Sequence, residues 1–225
     1  MMESIRLAYY EIRDAYADGK MHTVVRRRVF RNRIVTPTEM DLTSLPAFAG
    51  LAGSGLEFVE LQLQDLRAGK WTFIEPSRQY KAPGNLRKGW RGFALVEGTT
   101  VLGDIWCVTP GPDGGAVTHP DLDFLGIRCG EREAYAFDVY IDTGHRGRNL
   151  AVPLMRSLHA VLGREGCTKV YGFYWDDNVR ALWLHRVLKF KELPKRRVTR
   201  LFSLHSAETV AGSEKPSTNT ISPTR

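Results

Sequence analysis

Apolar side chains recur along this chain at two spacings, and each spacing predicts an element. Ile5, Leu7, Ala8, Tyr9, Ile12, Ala15 and Tyr16 form a helical stripe that Gly19 ends, which predicts a helix over 3–18. Val25, Val29, Phe30, Ile34 and Val35 then interleave with Arg26, Arg27, Arg28, Arg31 and Arg33 ahead of Pro37, so part of that stretch is expected as strand. Residues 56–68 alternate at one end and show helical spacing at the other, and their type stays open. In 92–110, two β-rich runs flank Glu97-Gly98-Thr99 and predict a hairpin. A strand follows in 132–142, with Ala134, Ala136 and Asp138 on one face and Tyr135, Phe137 and Val139 on the other. Leu150, Leu154, Leu158 and Val161 or Leu162 line one face of a helix closed by Gly163 and Gly166. Residues 168–175 read as a buried strand, 178–190 as a second helix and 196–205 as a last strand.

From Ser206 the chain turns to Ser, Thr, Pro and Gly, so a single domain is expected over 1–205 with a disordered tail over 206–225. A length of 225 residues suits one sizeable core. The 32 basic against 25 acidic residues give a net charge of +7, which favours an anionic partner without choosing among nucleotide, nucleic acid, acidic protein and membrane surface. Cys107, Cys129 and Cys167 stand far apart with no C-x-x-C pair, which suggests neither a disulfide framework nor a zinc site. A reducing cytoplasmic setting, no bound metal and no membrane segment are the expectations.

The sharpest chemical signal is "GHRGRNLAVP", residues 144–153, between the 132–142 strand and the amphipathic helix. Proline is tolerated in the first turn of a helix, so Pro153 places the helix start near Asn149 or Leu150. Asn149 also suits a left-handed backbone, as a sharp strand-to-helix turn requires. Such a loop presents unpaired N–H groups and the positive end of a helix dipole, with Arg146 and Arg148 beside them: an anion site, most naturally for phosphate. A plain solvated turn has the same composition.

The order strand, "HRGRNLA", amphipathic helix, strand, "DDNVRALWLHRVLKF" resembles the second half of the GCN5-related N-acetyltransferase (GNAT) superfamily. Arg146, Asn149 and Ala151 take the places of the family's Arg or Gln, Gly, and Gly or Ala, with Gly147 and Arg148 between. Asn178, Ala181, Leu184, Leu188 and Phe190 match a later signature in register. His185 stands where that signature commonly has tyrosine, and Lys189 where it has glycine. The hairpin "GFALVEGTTVLGDIWCV" looks like the element that precedes these motifs, whereas residues 1–80 match only in coarse order.

The resemblance implies an α/β fold with a central mixed, mostly antiparallel β-sheet, splayed central strands and flanking helices. It also implies an N-acyltransferase, most simply an N-acetyltransferase, that takes acetyl-CoA or another acyl-CoA as co-substrate and passes the acyl group directly to the amine of a small acceptor. Val139, Tyr140 and Ile141 would run beside the pantetheine arm, and the loop Arg146, Gly147, Arg148, Asn149, Leu150 and Ala151 would take the pyrophosphate. Asn178 would touch the cofactor or cap the second helix. His185 is the expected acid, Tyr174 its alternative, and Asp138 or Glu133 the expected base. The arginine cluster at 26–33 and Trp71, Phe73, Tyr80 and Trp90 fall on the side expected to shape the acceptor site. An acyl carrier protein as donor, or a non-catalytic module binding CoA or nucleic acid, are the alternatives; nucleic acid is disfavoured because no base-stacking motif accompanies the basic residues. Acceptor identity, acyl length and oligomeric state are not written in the residues.

Overall fold

β1 (Phe30–Asp41) buries Val35, Thr36 and Thr38 completely and forms the backbone of the sheet. It belongs to a computed structural model that describes residues 30–46, 48, 50–51, 53–111, 115–201 and 204–210. The helix expected over 3–18, and Arg26, Arg27 and Arg28, lie outside the described residues. The segment of open type is both things in turn, β2 (Glu57–Leu61) and a short α1 (Leu63–Arg67). After β3 (Thr72–Phe73) comes α2 (Pro76–Arg87), which starts on a proline at its first position and continues through Pro83. The expected hairpin is β4 (Arg91–Glu97) and β5 (Thr100–Val108), and α3 (Pro120–Leu125) follows it. The second half reads β6 (Glu133–Ile141), a single 3-10 turn at Thr143–His145, α4 (Ala151–Arg164), β7 (Lys169–Trp175) and α5 (Val179–Val187). β8 (Lys191–Glu192), β9 (Arg196–Leu201) and β10 (Leu204–Thr209) complete it.

These strands make one mixed sheet in the order β10-β9-β1-β7-β6-β5-β4-β2. Neighbours along this path are antiparallel except β6 and β7, which are parallel and pair only over Glu133–Tyr135 against Lys169–Tyr171 before they part. On one face α4 lays Leu154, Leu158 and Leu162, all fully buried, over Phe93, Leu95 and Ile105. On the other, α2 and α3 cover Trp106, Tyr135 and Phe137. Burial of this size is the main stabilising term of the domain. Among the described residues no helix is long and apolar enough to cross a membrane.

Three expectations change. The strand expected over 196–205 is a hairpin, and β10 pairs with β9 as far as Thr209, so ordered backbone crosses the boundary drawn at Ser206. Gly163 lies inside α4; the chain leaves the helix at Gly166, whose φ of +89° a side chain would oppose. The strict alternation of 132–142 fails at Asp138. There Trp106 pairs with Phe137 and Asp104 with Tyr140, so Asp138 and Val139 together oppose Ile105, and Asp138 adopts φ +54°. This β-bulge shifts the pleat by one residue and turns Asp138 to the α2 face, beside Phe137 and away from Ala136.

Candidate functional site

Where β6 and β7 part they open a cleft of about 1270 Å³ lined by Ala136–Val139 of one strand and Gly172–Trp175 of the other. It reaches both faces of the sheet. Toward α4 and α5 it meets Met155, Asn178, Leu184 and His185, and toward α2 and α3 it meets Lys81, Asn85, Lys88, Trp90 and His119. Beyond Tyr135 the edge of β6 that faces β7 has no strand to pair with, and Val139, 36% exposed, has no register partner on β5. An unpaired strand edge offers its N–H and C=O groups to an extended ligand.

The loop that follows β6 ends at the same place. Asp142, buried, accepts from the Gly144 N–H at 2.9 Å and contacts His145 Nδ1 at 2.8 Å, which tightens the 3-10 turn. Gly147 has φ +102° and Asn149 φ +55°, the left-handed backbone foreseen for Asn149. Leu150 caps α4 and buries its side chain. Among the described residues the amides of Gly147, Asn149, Leu150, Ala151 and Val152 have no hydrogen-bond partner. Arg146 donates to the Ile141 carbonyl at 3.2 Å, and Arg148 reaches Glu97 at 3.2 Å in an exposed pair. Such a pair is worth little and yields readily to a stronger anion.

His185 is 6% exposed, and its Nδ1 lies 2.8 Å from the Ala181 carbonyl oxygen. A carbonyl accepts only, so Nδ1 carries the proton and the lone pair of neutral His185 sits on Nε2. That nitrogen faces the point where the strands part: a Cβ on Gly172 would stand 3.6 Å from it and 3.6 Å from the Ala136 carbonyl oxygen. Burial pushes the imidazole pKa below its ordinary value, against the carbonyl of Ala181 and the charge of Glu192. The lowered pKa and the Nδ1 contact favour a neutral ring with its lone pair on Nε2, where the sequence suggested an imidazolium donor. Tyr174, also on the cleft wall, donates to Glu192 at 2.9 Å, and burial together with that bond pushes its hydroxyl up to about 12. Its proton is already committed. Asn178 lines the cleft and caps α5, its Oδ1 accepting from the Ala181 N–H at 3.2 Å.

The two expected bases fare differently. Glu133 sits at the other end of β6, accepts from the Gly130 N–H at 2.8 Å and does not line the cleft. Asp138 lines it, but Arg78 Nη1 donates to both its oxygens at 2.9 Å and Lys81 Nζ reaches it at 2.6 Å. Burial raises its pKa, yet those two cations outweigh burial and hold the carboxyl below the ordinary range, a poor state for a base. Arg78 also forks onto buried Asp104 of β5, with Nε to Oδ1 at 3.1 Å and Nη2 onto Oδ2, while Trp106 Nε1 donates to Asp104 at 2.8 Å. One guanidinium thus ties β5 to the bulge of β6. A carboxylate inside the apolar run "VLGDIWCV" was the available sign that a buried cation exists somewhere. Of the amino-terminal aromatics, Trp71 and Phe73 are core, and Tyr80 and Trp90 line the cleft. Arg33 stacks on Trp175 at 4.5 Å and pairs with Asp177.

Lys189 explains why a glycine is usual at the end of such a helix. Phe190 N–H bonds to the His185 carbonyl at 2.9 Å and Lys189 N–H to that of Arg186 at 3.0 Å, a Schellman stop that puts Lys189 at φ +62°. A lysine there pays about 1 kcal/mol of backbone strain. Lys189→Gly is expected to stabilise the chain by about 0.5 kcal/mol net, raising Tm by about 1–2 °C in a thermal melt, while Lys189→Ala gives no gain.

No family model matches the sequence, and no curated protein matches it. Solved structures do. A GCN5-related glucosamine N-acetyltransferase region of a fungal multi-domain β-N-acetylglucosaminidase superposes over 83% of this chain with a TM-score of 0.56 at 15% identity, the match spanning 22% of that protein. A Drosophila protein matches over 83% of this chain and 57% of its own, with a TM-score of 0.49 at 11% identity. A tandem GNAT protein from the clavulanic acid biosynthesis pathway matches over 77% of this chain and 55% of its own, with a TM-score of 0.49 at 15% identity. With its mixed, mostly antiparallel sheet and the first of these superpositions, the chain has the fold of the GCN5-related N-acetyltransferase superfamily.

Proposed function

We propose that this protein moves an acyl group from a CoA thioester to the amine of a small acceptor. The observation that supports it best is a juxtaposition: the unpaired, bulged edge of β6 ends at a loop of free amides set between two arginines. Those donors fit a pyrophosphate. The amides of Gly147 and 149–152 would hold it, Arg146 and Arg148 would add charge, and Val139–Ile141 would pair with the extended pantetheine arm. A bound acyl-CoA supplies an acyl group already activated as a thioester, so no covalent bond to the protein is required. The backbone N–H groups at the bulge, near Val139 and Tyr140, are the donors for the carbonyl oxygen as charge develops on it. His185 begins neutral with a free Nε2, so it takes up the proton that the amine loses on forming the amide and returns it to the departing thiolate. The side chain acts as base and then acid in one turnover.

Calorimetric titration of the full-length protein with acetyl-CoA and CoA tests this. Saturable binding is expected, and Arg146→Glu should weaken it at least about tenfold, since a charge-assisted contact is worth about 1.5–3 kcal/mol and the reversal adds repulsion. Equal affinity in the variant would remove the loop from the donor site.

A further inference from the structure

The half of the cleft that faces α2 and α3 has a chemistry of its own. Lys88 Nζ lies 4.4 Å from the centre of the Trp90 ring, and Trp90 lies 4.6 Å from His119, ring centre to ring centre. His119 Nδ1 accepts from the Asp121 N–H at 3.1 Å. Its neutral form therefore carries the proton on Nε2 and is a donor. Burial holds the His119 pKa down, with Asp121 opposing and Lys88 and Lys81 adding to the effect, so the ring stays neutral beside the two lysines. Below them Asn85 is 3% exposed, and its amide nitrogen has no partner among the described residues.

Carboxylates offer little counterweight. Among the described residues lining the cleft they are Asp121 and Asp138. Asp138 is held by Arg78 and Lys81, and Asp121 accepts from Tyr135 Oη at 2.9 Å. A polycationic acceptor would find cations and neutral donors here and no open acid. The Lys88 ammonium, neutral His119 and the Asn85 amide all line this half of the cleft, and Trp90 and Phe137, which pack edge to face at 5.1 Å, give it an apolar wall.

We propose that the acceptor is an amine that also carries a carboxylate, its acid held between the Lys88 ammonium and the His119 Nε2–H and its apolar part against Trp90 and Phe137. This rests on the acyl-transfer reading. It makes Lys88, His119 and Trp90 specificity-determining residues, since a site built to donate to a carboxylate discriminates against the same amine without one.

Initial rates with the full-length chain and acetyl-CoA, on phenylalanine against 2-phenylethylamine, tryptophan against tryptamine, and spermidine, test it. The carboxylated member of each pair is expected to show kcat/KM at least about tenfold higher, the worth of one charge-assisted contact. Lys88→Glu, and Lys88→Met, which keeps the stem over Trp90, should erase that preference while acetyl-CoA affinity by calorimetry stays unchanged. Equal rates within pairs, preference for the bare amines or spermidine, or no turnover of any of the five while acetyl-CoA binds, overturns the carboxylate site and leaves the donor reading standing. Absence of acetyl-CoA binding overturns both.

Discussion

Arg78→Met is expected to destabilise the protein by about 3–5 kcal/mol in urea unfolding at neutral pH, the loss typical of one partner removed from a buried ion pair. Arg78 is 8% exposed and Asp104 only 1%. Methionine fills the volume but leaves the Asp104 carboxylate with the Trp106 Nε1–H as its remaining side-chain donor among the described residues, in a place water does not reach. Combining Arg78→Met with Asp104→Leu should recover at least about half of the loss, because the penalty belongs to the stranded charge and not to the missing attraction. Losses that simply add would show that the two residues act independently. Arg78→Lys is not a conservative control, since an ammonium cannot fork onto Asp104 and Asp138 together. The effect has a pH signature. Asp138 titrates below the ordinary carboxylate value of about 3.9, so the stability it contributes is complete above that value and is lost as the pH falls through its lower folded pKa. The gap between wild type and Arg78→Met should therefore narrow at acid pH.

The second large effect is on turnover. His185→Phe should lower kcat by about 10²–10⁴, the usual share of a positioned acid–base group, with little change in the melting midpoint. Phenylalanine keeps the ring contacts with Tyr174 at 5.2 Å and Phe190 at 4.8 Å and loses only the bond to the Ala181 carbonyl. The pH profile separates the two possible roles. With His185 starting as a base, kcat falls as the pH drops through its folded pKa, which lies below the ordinary imidazole value of about 6.5, and this limb disappears in the variant. An imidazolium donor would give the reverse, a rate that falls as the pH rises through the same value. A normal kcat in His185→Phe with folding intact would end either role.

The second half of the molecule was legible because its signals are short-range. Leu154, Leu158 and Leu162 repeat at the helical period, and residues 133–141 alternate up to Phe137. Asn149 announces a left-handed turn by its own side chain. What stayed hidden depends on distant partners. Nothing local says that β6 bulges at Asp138; the bulge is held by Arg78, 60 residues earlier, through hydrogen bonds no spacing rule anticipates. Pro83 and Gly84 argue against a helix in 76–87, and tertiary packing of Ala82 and Arg78 overrides them. The protonation sense of His185 was likewise unreadable, because it is decided by burial and by which ring nitrogen meets Ala181. His119 and Lys88 carry no motif at all. They come together only where α3 folds back beside Trp90.

A β-sheet is ordinarily a partition, closed by its own ladder of hydrogen bonds. Here the ladder between β6 and β7 stops after three residue pairs, and the partition gains a gap whose walls are drawn from both of its faces. For the proposed transfer this means that traffic need not queue: the donor would lie toward α4 and α5 and the acceptor toward α2 and α3, each on its own side of the sheet.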